Sequence, residues 1–265
     1  SFEDERGRVQ RGQGFSSMDG SWRLVGGLSA LTTAVADRLP DHRKRLAAPV
    51  IKLEMRDDLC CAKLANGEQI TADQVVLALP PRVAAQIEFS PALPAVTIQT
   101  MQGIATWMAG QAKAVAVYDT PFWRSEGLSG DAMSRKGPMV EIHDASPAQG
   151  GPYALFGFIG VPPQGRADEH LLLQHLRAQL SRLFGPQAAA PKQLYLKDWA
   201  YDPYTSTEAD KTPLNAHPTY GLPHEMTNLW NNKLHFAGTE VAPVFGGYIE
   251  GALEAAENVV NALNL

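Results

Sequence analysis

A glycine-rich junction near the end of the chain restricts the fold more than any other feature. An apolar strand pattern, Lys233–Ala237, runs through Ala237-Gly238-Thr239-Glu240 and Gly246-Gly247-Tyr248 into a helical pattern. That helix carries Ile249, Leu253, Ala256, Val260 and Leu263 on one side. The change of hydrophobic period from 2 to 3.6 marks a strand followed by a helix. Gly238 lets another molecule approach the backbone closely, and Gly246-Gly247 makes a tight turn into the helix. The first turn of a helix offers free N–H groups and a positive partial charge, which stabilise an anion or a group becoming one. A plain Gly-rich β–α turn has the same pattern.

The rest of the chain supplies a sheet for that junction. Residues 1–20 are polar and Gly-rich and read as a loop or loose lead. Gly26-Gly27 opens a helix with Leu28, Leu31, Val35 and Leu39 at helical spacing, stopped by Pro40. A meander follows: strands Val50–Met55 and Leu59–Leu64 about an Asp57-Asp58 turn, then Asn66-Gly67 and strand Gln69–Ala72. Val75–Leu79 is apolar on both faces, the pattern of a strand buried in a parallel sheet, and ends at Pro80-Pro81. Ala114–Tyr118 and Tyr153–Gly160 read as strands covered by a helix that Asp168 caps, whose Leu172, Leu176, Leu180 and Leu183 form one stripe. Strand Gln193–Trp199 and a Pro- and Thr-rich loop over 200–228 lead to the junction. The order indicates an α/β (mixed α+β) protein in at least two interleaved parts.

Composition excludes several functions. A net charge of -5, with no basic run along any element, argues against nucleic acid. The longest apolar stretches are too short to span a bilayer, so no membrane is expected. The first residues, Ser1 to Arg6, are polar and read as a cut, a processed end or a fragment. Adjacent Cys60 and Cys61 match neither a redox pair nor a metal half-site, and point to a strand in a reducing compartment such as the cytoplasm. The seven histidines form no metal-ligand spacing, so no metal is expected. No G-x-S-x-G is present, and Glu250 and Glu254, i and i+4 on the last helix, read as a solvated face.

The string Ala237-Gly238-Thr239-Glu240, followed by Gly247-Tyr248-Ile249-Glu250-Gly251-Ala252, resembles the C-terminal flavin motif of the monoamine oxidase and polyamine oxidase family. Gln111–Tyr118 with Pro121-Phe122-Trp123 is similar to a strand and P-F-W turn of that family, and the likeness runs from about residue 21 to 262. The resemblance implies FAD as cofactor, an amine and oxygen as substrates, and hydride transfer from the amine α-carbon to flavin N5. It implies catalytic roles for Lys113, holding a water at flavin N5, and for Tyr248, one wall of an aromatic cage around the amine. It implies FAD contacts at Val50, Pro80, Trp199, Gly238, Thr239, Glu240, Gly247, Tyr248 and Ile249. From the residues alone, Lys113 also reads as a solvated strand-start lysine and Trp199 as a core aromatic. Alternation does place Lys113 on one face with Val115 and Val117, which favours burial.

On this resemblance the chain divides into a lead (1–20), part of an FAD/NAD(P)-binding-type domain (21–102), a mixed-sheet substrate domain flanked by helices (103–201), and a return to the FAD domain (202–265). Two departures stand out. The G-x-G-x-x-G fingerprint is absent, so an N-terminal FAD-binding half is an expected partner and FAD is expected to bind this piece weakly or not at all. The loop Tyr204–Asp210 carries no Cys, so FAD is expected to be non-covalent. A non-amine flavoprotein such as a desaturase, and a fragment without catalysis of its own, remain open.

Overall fold

A computed structural model describes residues 2–10, 24–147, 149–214 and 216–263. The strands are β1 (Phe2–Glu3), β2 (Val9–Gln10), β3 (Val50–Arg56), β4 (Leu59–Leu64), β5 (Gln69–Ala72), β6 (Val75–Leu77), β7 (Glu88–Ser90), β8 (Ala112–Tyr118), β9 (Ala132–Ser134), β10 (Met139–Asp144), β11 (Tyr153–Ile159), β12 (Gln193–Asp198) and β13 (Leu234–Phe236). The helices are α1 (Leu28–Ala36), α2 (Pro81–Ala84), α3 (Ala95–Gly103), α4 (Phe122–Ser125), α5 (Glu169–Phe184) and α6 (Ile249–Leu263). They assemble a sheet in the order β12-β8-β11-β10-β9-β1-β2, a meander β5-β4-β3-β7, and a parallel pair β13-β6.

The large sheet and α5 form one core. Asp168 Oδ1 accepts from Leu171 N at 3.0 Å, satisfying an orphan donor at the start of α5. The leucine stripe then buries Leu172, Leu176, Leu180 and Leu183 against Ala112, Ala114, Ala116, Leu155 and Ile159. The small alanines of β8 let the helix lie close, and each buried leucine contributes about 1.5–3 kcal/mol. The covering role predicted for this helix is therefore observed. A second core joins Leu53, Leu77, Met101, Trp230, Leu234, Phe236, Val241 and Ala255.

One guanidinium fastens the strand ends. Arg166 is buried, and its Nε and Nη2 donate to Asp198 Oδ2 and Oδ1 at 2.6 and 2.8 Å. Nη1 and Nη2 also donate to Val161 O and Gly110 O, both at 2.6 Å. Gly110, Val161 and Asp198 lie beside or at the ends of β8, β11 and β12, three neighbouring strands.

Several expectations need correction. Residues 2–10 are not a loose lead. β1 pairs with β9 in parallel, and Glu3, fully buried, accepts from Arg182 Nε at 2.8 Å and from Ser134 Oγ. A buried carboxylate needs such donors, and they come from α5 and β9, far away in sequence. The remainder of that lead, from residue 11, lies outside the described residues. β6 finds the parallel partner its pattern predicts, but Val76 is exposed, because the face it shares with His235 is left partly uncovered among the described residues. α1 starts where Gly26-Gly27 predicts, yet Leu28, Leu31, Val35 and Leu39 are 42–60% exposed. On α6 the packed side is Gly251 and Ala255, while Ile249, Leu253 and Val260 are 50–56% exposed. A Cβ at Gly251 would run into Phe245 O, so small residues set how closely this helix seats.

The approach to β13 is tightly wound. Asn228, Trp230, Asn231 and Asn232 have φ of 56, 49, 56 and 62°. These left-handed conformations are held by the Trp230 indole, which packs edge-on to Phe89 and donates to Pro91 O at 3.2 Å.

Replacing Asp198 with Asn leaves the buried Arg166 charge without its partner. Urea unfolding of Asp198→Asn is expected to show a loss of roughly 3–5 kcal/mol, and a loss below 1 kcal/mol would contradict the fastening role.

Candidate active site

The junction between β13 and α6 is built around Thr239. Its Oγ1 accepts from Gly247 N at 2.9 Å and donates to Tyr248 O at 2.7 Å, locking the start of the helix onto the end of the strand. Gly247 has φ 85°, where a side chain would be strained. A Cβ on Gly238 would lie 2.8 Å from Leu79 O and 2.9 Å from Glu240 Oε2, so only glycine lets β13 pass the end of β6. The N–H groups of Ile249, Glu250 and Gly251 find no acceptor among the described residues, the open first turn that the sequence predicts. Glu254 is not merely a solvated residue: its carboxylate accepts from Phe245 N at 3.0 Å and from Val244 N at 3.3 Å, holding the loop before the helix.

Tyr248 stands at this junction, 61% exposed, with its ring parallel to His217 at 5.6 Å between centroids and 12° between planes. His217 also meets Trp107 at 4.9 Å and Tyr220 at 5.5 Å. The Tyr220 hydroxyl donates to Ala105 O at 2.7 Å and accepts from Trp107 N at 2.9 Å. Burial pushes its pKa up to about 12, so it remains a donor across the physiological range. Arg82 Nη1 donates to Asp210 Oδ1 at 2.6 Å and its Nε to Gln102 O at 2.8 Å, tying the 200–212 loop to α2 and α3.

Lys113 lies on β8 opposite Phe158 and Lys197. Lys197 is neutralised by Asp202 at 2.6 Å and rests 4.6 Å from the Trp199 ring centroid. Lys113 is half-buried with Val115 and Val117 on the less covered face of β8, while Ala112, Ala114, Ala116 and Tyr118 on the opposite face are buried. Its Nζ is 5.2 Å from the Phe158 centroid, and it has no carboxylate partner among the described residues. Trp199 N donates to Gln111 O at 3.0 Å, which places Trp199 beside the start of β8. A cavity of about 370 Å³ opens there, lined by Trp107, Gln111, Phe158, Arg166, Asp210 and Leu214.

The structure thus gathers the predicted residues into two groups. Gly238, Thr239, Glu240, Gly247, Tyr248 and Ile249 share the junction, with Pro80 next to it through Leu79. Lys113 and Trp199 share the end of β8 and β12. Val50 stands apart, on β3 at the margin of the second core. Among the described residues, no hydrogen bond, ion pair or ring contact joins Lys113 to Tyr248. His217, Trp107 and Tyr220 were not singled out from the sequence. They lie in stretches without periodicity, where an isolated aromatic signals nothing.

Residues 7–264 match the family described as flavin containing amine oxidoreductase, and the chain belongs to that family. Among its relatives, it is 30% identical over 246 residues to a probable flavin-containing monoamine oxidase A of Dictyostelium discoideum, covering 89% of this chain and 52% of that protein. It is 27% identical over 254 residues to amine oxidase [flavin-containing] B of Sus scrofa, covering 91% and 46%. Wild-type putrescine oxidase bound to putrescine shares the fold with a TM-score of 0.69 at 22% identity, covering 91% of this chain and 53% of that one. Cyclohexylamine oxidase from Brevibacterium oxydans matches with a TM-score of 0.63 at 26% identity, covering 89% and 52%. The chain spans about half the length of the curated relatives it matches.

Burial pushes the Glu240 carboxyl above its ordinary pKa, with Asp210 adding to the shift. The folded state therefore holds this proton to higher pH than the unfolded chain. That contribution to stability is complete below the ordinary carboxylate value and is lost as pH rises through the folded one. The Tm of Glu240→Gln is expected to gain on wild type as pH rises from 4 to 8, and a constant difference would refute this.

Proposed function

We propose that the complete protein containing this chain is an FAD-dependent oxidase of a primary or secondary amine. The observation that carries this reading is the β13–α6 junction, whose bare glycine backbone and open N–H groups lie beside an exposed tyrosine. These residues fit a flavin. Gly238 and Gly247 admit close approach, and the first turn of α6 offers donors to a ring edge that gains negative charge. Val50, Pro80, Trp199, Thr239, Glu240 and Ile249 are the further residues assigned to holding it. FAD, when bound, supplies the hydride acceptor and returns the electrons to oxygen. The loop Tyr204–Asp210 has no cysteine, which supports non-covalent binding.

The side chains of this chain orient the reactants. Tyr248 presents its ring to the amine, and Lys113 keeps an uncompensated cation on an otherwise apolar strand face. A charge held there stabilises negative charge that develops when oxygen accepts an electron. The relatives named for putrescine and cyclohexylamine support an amine as the substrate class.

Residues 21–102 with 202–265 are assigned to the FAD domain, and 103–201 to the substrate domain. The exposed faces of α1 and α6, Val76 and the open edge of β13 are assigned to an N-terminal FAD-binding half. A groove of about 830 Å³ along β13 and α6, lined by Leu234, Phe236, Val259 and Leu263, supports that assignment. The same surfaces favour a second reading of the isolated chain, as a folded piece without catalysis of its own. Both cysteines are free and buried, which supports a cytoplasmic location. No helix among the described residues is long and apolar enough to cross a membrane.

Two experiments test this. In the complete flavin-loaded protein, Lys113→Met is expected to slow reaction with oxygen about 10²-fold while amine oxidation changes much less. Tyr248→Ala is expected to do the reverse, and stopped-flow traces of the two half-reactions decide between these roles and a surface lysine. The isolated 265-residue chain is expected to bind FAD weakly or not at all, and tight stoichiometric titration would overturn the need for an N-terminal half.

A further inference from the structure

We propose that His217 binds the nitrogen of the amine through Nε2, beside the Tyr248 ring; the proposal rests on the amine oxidase reading above. Nδ1 of His217 lies 2.8 Å from Pro218 O. A carbonyl oxygen only accepts, so Nδ1 carries a proton, and in that tautomer Nε2 keeps a lone pair. That lone pair has no hydrogen-bond partner among the described residues. His235 differs, since its Nε2 lies 2.9 Å from Gln74 Oε1 and 2.8 Å from Asn232 O.

The ring is held by contacts that leave this nitrogen available. Trp107 and Tyr220 flank His217, and Tyr248 stacks on it. Trp107 and Tyr220 are themselves joined by the 2.9 Å bond from Trp107 N to the Tyr220 hydroxyl. A Cβ at position 247 would lie 3.0 Å from Nε2, so glycine there keeps a side chain off the acceptor. An amine N–H donating to Nε2 brings its carbon chain against the exposed Tyr248 ring. A cationic amine also gains from the faces of the neighbouring aromatic rings. This separates two tasks at one place: Tyr248 contacts the carbon being oxidised, and His217 fixes the nitrogen attached to it. A merely structural imidazole, packed under Tyr248, would be replaceable by any flat ring.

The test uses the complete FAD-loaded protein and benzylamine. His217→Phe keeps the flat ring and removes the acceptor, so KM is expected to rise about 10- to 100-fold, the loss of one hydrogen bond to a charged partner. kcat is expected to stay within about threefold, because Tyr248 and the flavin side are untouched. In wild type labelled with ¹⁵N-histidine, the Nε2 resonance missing from His217→Phe is expected to shift as benzylamine is titrated in, with or without turnover. An unchanged KM in His217→Phe, or an Nε2 resonance that does not move at saturating amine, overturns the proposal while amine oxidation by wild type stands. A wild-type protein that neither binds nor oxidises benzylamine or any other amine overturns the functional reading, and the role of His217 falls with it.

Discussion

The arrangement of the sheet depends on the buried contacts of Arg166. A single guanidinium gathers a carboxylate and two carbonyls from the same end of three adjacent strands. Those groups are removed from water and need donors, and the planar fork supplies them in fixed directions. Trp199 N to Gln111 O, and Gln111 Nε2 to Ile159 O at 2.8 Å, repeat the cross-tie one layer further in. Lys113 therefore begins a strand whose end is fixed from both sides. Its charge is held over Phe158, while the neighbouring Lys197 is drawn off by Asp202.

Polar bonds tie together the segments that carry the two cores. The segment between β12 and β13 crosses from one to the other, tied by Ser206 Oγ to Ala109 O at 3.0 Å, by Asp210 to Arg82, and by the Tyr220 hydroxyl to Ala105 O. These bonds bring the 105–107 backbone, just before β8, to the aromatic group over α6. Directional bonds at a few points fix geometry without a wide buried interface, which suits a cleft that must stay open to a small molecule.

Much of this was legible in the sequence where local chemistry decides the structure. β4 and β5 fall at the predicted residues, because Asp57-Asp58 and Asn66-Gly67 turn the chain and alternation sets the faces. α5 is equally plain, with an Asp cap and one leucine stripe. The junction at Gly238 and Gly247 was readable because glycine there answers a backbone requirement. Position relative to solvent was less readable. The stripes of α1 and α6 show that a face is meant to be covered, but periodicity does not say by what. Glu3 and His217 could not be found at all, since their roles come from residues 131 positions away in one case and from a ring stack in the other.

The left-handed corner before β13 makes the chain intolerant of a change in length there. Asparagine tolerates the left-handed region, but at Trp230 it costs roughly 1–2 kcal/mol, offset only while the indole stays in the core. Inserting or deleting one residue between 228 and 233 would slide β13 by one step against β6. Sheet faces alternate, so Phe236 would turn out of the core and His235 into it. Gly238 would then leave the place where it passes Leu79 O, and a side chain would arrive in its stead. Indels at this corner are thus expected to be rarer among functional variants than substitutions at the exposed faces of α1 or α6.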